Sequence, residues 1–321
     1  MILKDLERPI RLKKIGALLP RLSTNHKQRQ LIEEDYAKLS TGYRGEKEIF
    51  RHLKRLEDEK FLILHNLRLK QGDSFFQIDF LVIHPRFLIN IESKNINGTL
   101  FFDKNFDQMI RSNNNDVETG FRNPLSQITY QKQQLKQWLI SNNLPALPIH
   151  NFVGISNPST IIKSNANDPT IYQTVVHAEN LLEHIAALEK RYPIISNSHS
   201  QFEELGKEIL ENHTPEQLDI LSYYKLNKND ISTGVQCPAC QFIPMERAYG
   251  SWKCPSCSNV DRHAHKQAIH DFLLILNSTI SNTQCREFLH ISSRDTAYHL
   301  LSSMNLHSEG STKIRRYMNH N

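Results

Sequence analysis

The sequence predicts a mixed α/β domain followed by a small cysteine-rich module and a helical C-terminal segment. In the first 190 residues, apolar residues recur in the order helix, strand meander, helix, strand, strand, helix, which is typical of a mixed sheet flanked by helices. Two Cys-x-x-Cys pairs then lie close together, at 237–240 and 254–257. Beyond residue 262, apolar residues recur again at helical spacing. A chain of 321 residues fits this division at roughly 100–200 residues per domain.

The composition argues against a membrane-spanning or secreted protein. Hydrophobic residues make up 39% of the chain, which is enough over 321 residues to bury a sizeable core. No stretch approaches the roughly 18 uncharged apolar residues that a spanning helix needs. The segment from Met1 to Arg11 is charged throughout and lacks the apolar core of a signal peptide. We therefore expect a cytoplasmic protein, in which paired cysteines favour a metal site over disulfides.

Residues 1–40 are predicted to form a basic, partly helical N-terminal arm. The first 30 residues carry a net charge of +6, whereas the whole chain carries +5, so the remainder is slightly acidic. The basic side chains of this segment are Lys4, Arg8, Arg11, Lys13, Lys14, Arg21, Lys27 and Arg29. The arm could pack on the main domain as an amphipathic segment, or it could contact the phosphates of a nucleic acid. The sequence leaves both alternatives open.

Residues 41–190 are predicted to form the mixed α/β domain. Apolar spacing and turn residues predict a helix at 44–58 and strands at 61–69, 75–83, 87–94 and 99–102. The Asn-rich segment 103–122 is interpreted as a loop. The remaining predicted elements are a helix from Asn123-Pro124 to about residue 140, strands at 149–155 and 171–176, and a helix at 178–190. A polar, mostly helical connector is predicted over 191–235.

Three ionisable side chains fall on the predicted hairpin of the second and third strands. Side chains alternate across a strand, so Glu92 and Lys94 project from the same face. Asp79 lies on the preceding strand, with twelve residues between it and Glu92. A two-residue turn at Pro85-Arg86 would place the two carboxylates directly opposite each other, whereas an odd-numbered loop would separate them. The predicted site therefore depends on the length of one turn.

These charges need partners, because burying an unpaired charge is costly. Two carboxylates and an adjacent backbone carbonyl form a hard oxygen site suited to Mg²⁺ or Mn²⁺. Such an ion lowers the pKa of a bound water, and the Lys94 ammonium would offset charge in the transition state of phosphodiester hydrolysis. Glu46 would supply a further carboxylate, or it could simply interact favourably with a helix N-terminus. The alternative for the set is a structural Glu–Lys pair beside an edge aspartate.

Several separated motifs, in order along roughly residues 40–155, resemble the nuclease-related domain (NERD) family. They are Gly45-Glu46, Gln77-Ile78-Asp79, Ile91-Glu92-Ser93-Lys94-Asn95 with Gly98 following, and Asn123-Pro124-Leu125-Ser126-Gln127. That family is similar in turn to the PD-(D/E)xK nucleases of the restriction-endonuclease-like fold. The resemblance implies a restriction-endonuclease-like mixed sheet flanked by helices. One departure is that Ile78, not proline, precedes Asp79.

The resemblance also implies particular roles. Asp79 and Glu92 would hold Mg²⁺ or Mn²⁺, Lys94 would be the catalytic lysine, and Glu46 the acid carried by a helix. Gln127 resembles the helical glutamine that lines such sites, although an exposed helix face is its alternative interpretation. The predicted function is metal-dependent hydrolysis of nucleic acid, with DNA favoured over RNA as the substrate. The alternative is a non-catalytic nucleic-acid- or protein-binding protein with a nuclease-like core.

Residues 236–260 are predicted to form a zinc ribbon. Cys237 and Cys240 are separated from Cys254 and Cys257 by thirteen residues, and each pair forms a knuckle that presents two thiolates. Four thiolates fill the coordination sphere of Zn²⁺, so the ion would be structural. The alternatives are redox pairs or ordinary core thiols. The module resembles the zinc ribbons appended to nucleic-acid enzymes such as topoisomerases.

Residues 261–321 are predicted to form a helix-turn-helix-like helical module. The spacing of Ala297, Leu300, Leu301 and Met304 predicts an amphipathic second helix. The residues predicted to contact nucleic acid are Arg294 and Tyr298 on its exposed face, and Lys313, Arg315 and Arg316 beyond it. An ordinary helical bundle is the alternative, since residues 262–321 carry a net charge of only +3. The sequence leaves the oligomeric state and the specificity open.

Overall fold

The protein is described here by a computed structural model. It describes residues 1–56, 59–103, 105–113, 115, 117–164, 169–192, 199–311 and 314–320. The chain forms two compact units. Unit 1 contains residues 1–9 and 39–216, and unit 2 contains residues 10–38 and 217–321. The boundary at residues 38 and 39 falls inside a single long helix.

The helices and strands are numbered in chain order. The helices are α1 Ile10–Leu18, α2 Arg29–Leu53, α3 Pro124–Ser141, α4 Pro169–Thr174, α5 Leu181–Arg191, α6 His199–Glu211, α7 Ile220–Tyr223, α8 His265–Ile275, α9 Asn282–Leu289 and α10 Arg294–Ser302. The strands are β1 Ile2–Lys4, β2 Leu62–Gln71, β3 Ser74–His84, β4 Phe87–Lys94, β5 Thr99–Asp103, β6 Gln108–Ser112, β7 Glu118–Arg122, β8 Ile149–Ile155, β9 Ile161–Ser164, β10 Val175–His177, β11 Glu246–Ala248, β12 Ser251–Lys253, β13 Val260–Asp261, β14 Ile280–Ser281, β15 His307–Glu309 and β16 Arg316–Met318.

Unit 1 is built around a mixed sheet with the strand order β1-β2-β3-β4-β8-β10. The meander β2-β3-β4 is antiparallel, whereas β8 runs parallel to β4 and β10 runs parallel to β8. Apolar residues of α3 and α6, including Leu135 and Phe202, pack on one face. Residues of α2 and α5, including Phe50 and Ile185, pack on the other. The predicted mixed α/β class is confirmed.

The hairpin of β3 and β4 has the predicted two-residue turn. His84 pairs with Phe87 across Pro85-Arg86, and the register continues to Phe80 opposite Ile91. Because the loop is even-numbered, Asp79 and Glu92 occupy the next position on each strand, directly beyond the last pair of this ladder. The parity on which the predicted site depends is therefore the one found.

The predicted helix at 44–58 is wrong in its limits, because α2 begins at Arg29 and ends at Leu53. The sequence Gly42-Tyr43-Arg44-Gly45 does not start a helix but lies inside one. Gly45 is required by close packing: a Cβ there would lie 2.7 Å from the Cβ of Asn95 and 2.8 Å from the Oγ of Ser156. Glu46 therefore sits in the middle of α2, and interaction with a helix N-terminus does not explain it.

Two further predictions in unit 1 are wrong. Within the predicted loop 103–122 lie β6 and β7, which join β5 and β9 in a second sheet with the order β7-β6-β5-β9. All five residues of β7 are exposed, so this strand has no alternating apolar pattern to reveal it. Most of the predicted strand 171–176 belongs to α4, which starts with Pro169 at a position that suits proline; only its end lies in β10.

In unit 2, residues of the predicted N-terminal arm pack on the C-terminal half of the chain. Helix α1 contacts α8 and buries Leu12, Ile15 and Leu18. The fully buried Arg21 donates from Nε to Asp271 Oδ2 at 2.8 Å, and from Nη1 to two backbone carbonyls. Arg21 is therefore an internal ion-pair partner and not a contact for phosphate.

The last part of unit 2 is not entirely helical as predicted. Helices α8, α9 and α10 are joined by a small antiparallel sheet with the order β14-β16-β15. We call the hairpin of β15 and β16 the wing. Strands of two or three residues are too short to produce a recognisable alternating pattern.

Among the described residues, no helix is long and apolar enough to cross a membrane.

Candidate functional site

The predicted carboxylates and lysine meet where β3 and β4 leave their common ladder. Asp79 Oδ2 accepts a hydrogen bond from the backbone N–H of Ser93 at 2.9 Å. Lys94 Nζ donates to Glu92 Oε1 at 2.6 Å and to Gln127 Oε1 at 3.2 Å. The contact of Glu92 with Lys94 follows from the two-residue repeat of the strand.

The backbone places Asp79 at a change in side-chain alternation. Ile78 and Phe80 pack on opposite faces of the sheet, whereas regular alternation would place residues two apart on the same face. On β2, the facing position is Asn66, which has a left-handed φ of +51° and interrupts the pairing between His65 and Leu67. This interruption brings groups from both faces of the sheet to one place.

Two polar residues that the sequence reasoning missed hold Glu92 from the side of α3. Gln131 Nε2 donates to Glu92 Oε2 at 3.0 Å, and Asn90 Nδ2 donates to Gln131 Oε1 at 3.1 Å. All three side chains are buried. Gln131 lies one helical turn after Gln127, so the i,i+4 spacing was a usable signal. Asn90 was detectable as a polar residue within an apolar strand.

A histidine on the opposite face of the sheet holds Glu46. His65 Nε2 lies 2.7 Å from Glu46 Oε2, and its Nδ1 accepts a hydrogen bond from the Glu7 N–H at 3.4 Å. Because Nδ1 is an acceptor, a neutral His65 carries its proton on Nε2 and donates it to Glu46. His65 is fully buried, and its only sequence signal was its place among apolar residues of β2.

The electrostatics of the site centre on Asp79. Burial raises the pKa of its carboxyl well above the usual range, and the negative charges of Glu92 and Glu46 raise it further. The hydrogen bond from Ser93 and the positive charge of Lys94 offset this only in part. A divalent cation would relieve the same repulsion, so the carboxylate oxygens of Asp79 and Glu92 fit Mg²⁺ or Mn²⁺ chemically.

The spacing of the acidic groups limits how they could hold an ion. Among the described residues, only the four ribbon cysteines bring three or more potential ligand atoms within 4.8 Å of one another. Asp79, Glu92 and Glu46 are therefore not a closed three-carboxylate cage. This suits Mg²⁺, which commonly takes one or two protein carboxylates and keeps several waters.

Comparison with known families matches this part of the chain to one of them. Residues 41–156 fit the family model of the nuclease-related domain. The chain carries a nuclease-related domain. This domain contains all five predicted site residues of unit 1, together with His65, Asn90 and Gln131. Searches among curated proteins and among solved structures found no match.

Outside the nuclease-related domain, the four paired cysteines converge as predicted. The Sγ atoms of Cys237 and Cys257 are 3.6 Å apart, and those of Cys240 and Cys254 are 3.5 Å apart. A tetrahedral zinc ion with Zn–S bonds of about 2.3 Å holds its sulfurs about 3.8 Å apart. The spacing is far from a disulfide bond of about 2.0 Å, and all five cysteines are free. The cluster is therefore compatible with structural zinc.

The structure brings the predicted nucleic-acid contacts of unit 2 to one cleft. Arg294 and Tyr298 are exposed on α10, and Arg315 and Arg316 lie in the wing. All four side chains line this cleft. Hydrogen bonding to the hydroxyls of Tyr317 and Tyr298 raises the pKa of Arg315. Lys313, the fifth predicted contact, lies outside the described residues.

Proposed function

We propose that the nuclease-related domain hydrolyses phosphodiester bonds of nucleic acid with the help of Mg²⁺ or Mn²⁺. The observation that carries this proposal is the meeting of Asp79, Glu92 and Lys94 at the end of the β3-β4 ladder. A purely structural ion pair would need Glu92 and Lys94 only. It would not need a further, half-buried carboxyl whose pKa is raised by desolvation and by its acidic neighbours.

Each side chain has a distinct part in this proposal. Asp79 and Glu92 hold the cation, which when bound supplies an activated water at neutral pH. Lys94 offsets the negative charge that develops on the phosphoryl oxygens. Gln127 and Glu92 hold the Lys94 ammonium in place, and Gln131 fixes the orientation of Glu92. Glu46, held by His65, adds negative charge on the other side of Asp79.

One observation favours the second candidate, a core that binds nucleic acid or a protein without cutting. Lys94 and Gln131 contact one oxygen of Glu92 each, so Glu92 already has polar partners without a cation. Each carboxylate oxygen has a second lone pair, however, and can accept another ligand. Cleavage measurements separate the two candidates.

Replacing Lys94 by alanine or Glu92 by glutamine is expected to lower the cleavage rate by about 10²–10⁴-fold. The first change removes a positive charge that stabilises the transition state, and the second weakens a ligand of the cation. The assay follows cutting of plasmid and of single-stranded DNA and RNA with added Mg²⁺ or Mn²⁺. The matched controls are Lys136→Ala and Glu118→Gln, which make the same changes at exposed positions of the same domain. Equal cutting by all of these proteins would indicate a contaminant and remove the proposal.

Replacing Gln131 by alanine is expected to lower cleavage by about 10–100-fold, since residues that orient a metal ligand typically contribute that much. The Mg²⁺ concentration needed for half-maximal cleavage should rise at the same time, because Glu92 loses its fixed orientation and binds the cation more weakly. Gln133→Ala, at an exposed position of the same helix, should leave both quantities unchanged. A Gln131 variant with normal rate and normal metal dependence would exclude the orienting role.

For the C-terminal half of the chain we propose structural zinc and substrate positioning. One zinc ion would be held by Cys237, Cys240, Cys254 and Cys257. The module that follows would position nucleic acid, preferentially DNA, through Arg294, Tyr298, Lys313, Arg315 and Arg316. Support for this comes from the cleft described above and from the presence of a nuclease-related domain in the same chain.

A further inference from the structure

A cleft of about 630 Å³ in unit 2 is lined by arginines from three different elements. Arg286 lies on α9, Arg294 begins α10, and Arg315 and Arg316 precede or begin β16. Among the described residues of the lining, Asp295 is the one acidic side chain. Arg286 was not among the predicted contacts, which lie on the second helix and in the segment beyond it. Four guanidinium groups facing one cleft create a strongly positive surface that suits phosphate groups.

The arginines are held in defined positions. Arg316 Nη1 donates to Gln284 Oε1 on α9 at 2.9 Å. Asn282, also on α9, donates from Nδ2 to the backbone carbonyl of Arg294 at 2.9 Å, which links the starts of the two helices. These contacts tie the wing to α9 and α9 to the start of α10, so the elements that carry the arginines are held together by hydrogen bonds.

The geometry of α10 decides which nucleic acid fits. Arg294, Tyr298 and Ser302 form one exposed stripe at i, i+4 and i+8, while Ala297, Leu300 and Leu301 are buried. A helix with its side chains is about 10–12 Å in diameter, which matches the roughly 12 Å major groove of B-form DNA. The major groove of A-form RNA is deep and too narrow for side chains to read. Single strands prefer several stacked aromatics, whereas this cleft offers one exposed aromatic, Tyr298.

We propose that this cleft binds double-stranded DNA in preference to RNA, with α10 in the major groove and the arginines of α9 and the wing on the flanking phosphates. The inference rests on the proposed function in taking nucleic acid as the partner. Arg294, at the start of the exposed stripe, reaches base edges, as the first residues of a recognition helix do. Arg286, Arg315 and Arg316 neutralise backbone charge.

The test measures binding separately from cutting. The full-length Asp79→Asn protein is titrated, without added Mg²⁺ or Mn²⁺, into a fluorescent DNA duplex of about 20 base pairs, roughly two helical turns. The same titration is made with an RNA duplex and a single-stranded DNA of the same sequence. The DNA duplex is expected to bind at least about tenfold more tightly than either competitor, and its affinity should fall steeply with salt. Equal affinity for duplex DNA and duplex RNA would overturn the proposal.

Variants test whether the cleft itself is responsible. Arg294→Ala and Arg315→Ala are each expected to weaken duplex binding by about tenfold, and Arg315→Ala should also lower the salt slope by about one. Lys228→Ala, which removes a positive charge from an exposed site of the same unit outside the cleft, serves as the control. Zinc content and melting temperature confirm folding. If the two arginine variants bind the duplex as tightly as the control does, the cleft is not the DNA-binding surface.

The two proposals fail in different ways. If the wild type never cuts DNA but binds duplexes through the cleft, the hydrolytic function is wrong and the DNA-binding surface stands. If the wild type cuts DNA normally but shows no preference for duplex DNA, the DNA-binding surface is wrong and the hydrolytic function stands. Neither result depends on how the two units are arranged.

Discussion

Replacing Asp79 by asparagine is expected to abolish cleavage and, at the same time, to raise the melting temperature of the protein measured without Mg²⁺ or Mn²⁺. Asp79 is half-buried, and desolvation together with the two acids beside it raises the pKa of its carboxyl in the folded state. Asparagine keeps a side-chain oxygen to accept the bond from the Ser93 N–H, and it removes the repulsion. Each kcal/mol gained should raise the melting temperature by roughly 2–4 °C for a unit of this size. A site adapted to function commonly carries such a cost in stability.

The pH dependence follows from the direction of the Asp79 pKa shift. A folded-state pKa above the unfolded value means that the folded chain binds the proton more tightly. The stability linked to this proton is present at low pH and is lost as pH rises through the folded-state pKa. The melting-temperature advantage of Asp79→Asn should therefore disappear near pH 4 and grow towards neutrality. The control is Asp73→Asn, at an exposed position on the turn before β3. An Asp79 variant that melts lower than wild type at neutral pH would contradict the electrostatic description.

Loss of zinc is expected to unfold the core of the C-terminal half of the chain. Cys237 and Cys254 are fully buried, and they lie in the same apolar cluster as Trp252 and the inner faces of α8, α9 and α10. Structural zinc contributes about 10–16 kcal/mol in small zinc peptides, which is comparable with the whole stability of a domain. Chelation or Cys254→Ala should therefore raise amide hydrogen exchange throughout these three helices.

Metal analysis provides the direct measurement. The wild type should contain about one zinc per chain, and Cys254→Ala should contain none. Cys285→Ala is a close control, because Cys285 is a buried thiol of the same cluster that lies outside the group of four. It should keep its zinc and lose only the small stability expected for a minor cavity. A metal-free wild type with unchanged exchange in α8–α10 would contradict the structural role of zinc.

The parts of the site that could be predicted were those fixed by local periodicity. Strand alternation put Glu92 beside Lys94, and the even-numbered turn left Asp79 and Glu92 next to the last pair of one ladder. A repeated Cys-x-x-Cys spacing brought four thiols to one point. Both depend on geometry over a few residues, which a sequence displays directly.

The parts that could not be predicted depend on tertiary packing. Gly45 looked like a helix start, yet it lies inside α2, and the position is glycine because Asn95 and Ser156 leave no room for a Cβ. His65 and Asn90 act through partners on distant segments, Glu46 and Gln131. The wing and β7 were missed because strands that are very short or fully exposed have no apolar pattern. These residues and strands lacked a local sequence signal because contacts with distant segments of the chain determine their structure.

The change in side-chain alternation at Asn66 and Asp79 determines which mutations would inactivate the proposed site. Glu46 and His65 reach the site from the side of α2, and Glu92, Lys94 and Gln131 reach it from the side of α3. Each side has its own hydrophobic packing, so a repacked leucine or tryptophan on either side would displace half of the site relative to the other half. Core substitutions on either side are therefore expected to disrupt the site while every polar residue stays in the sequence.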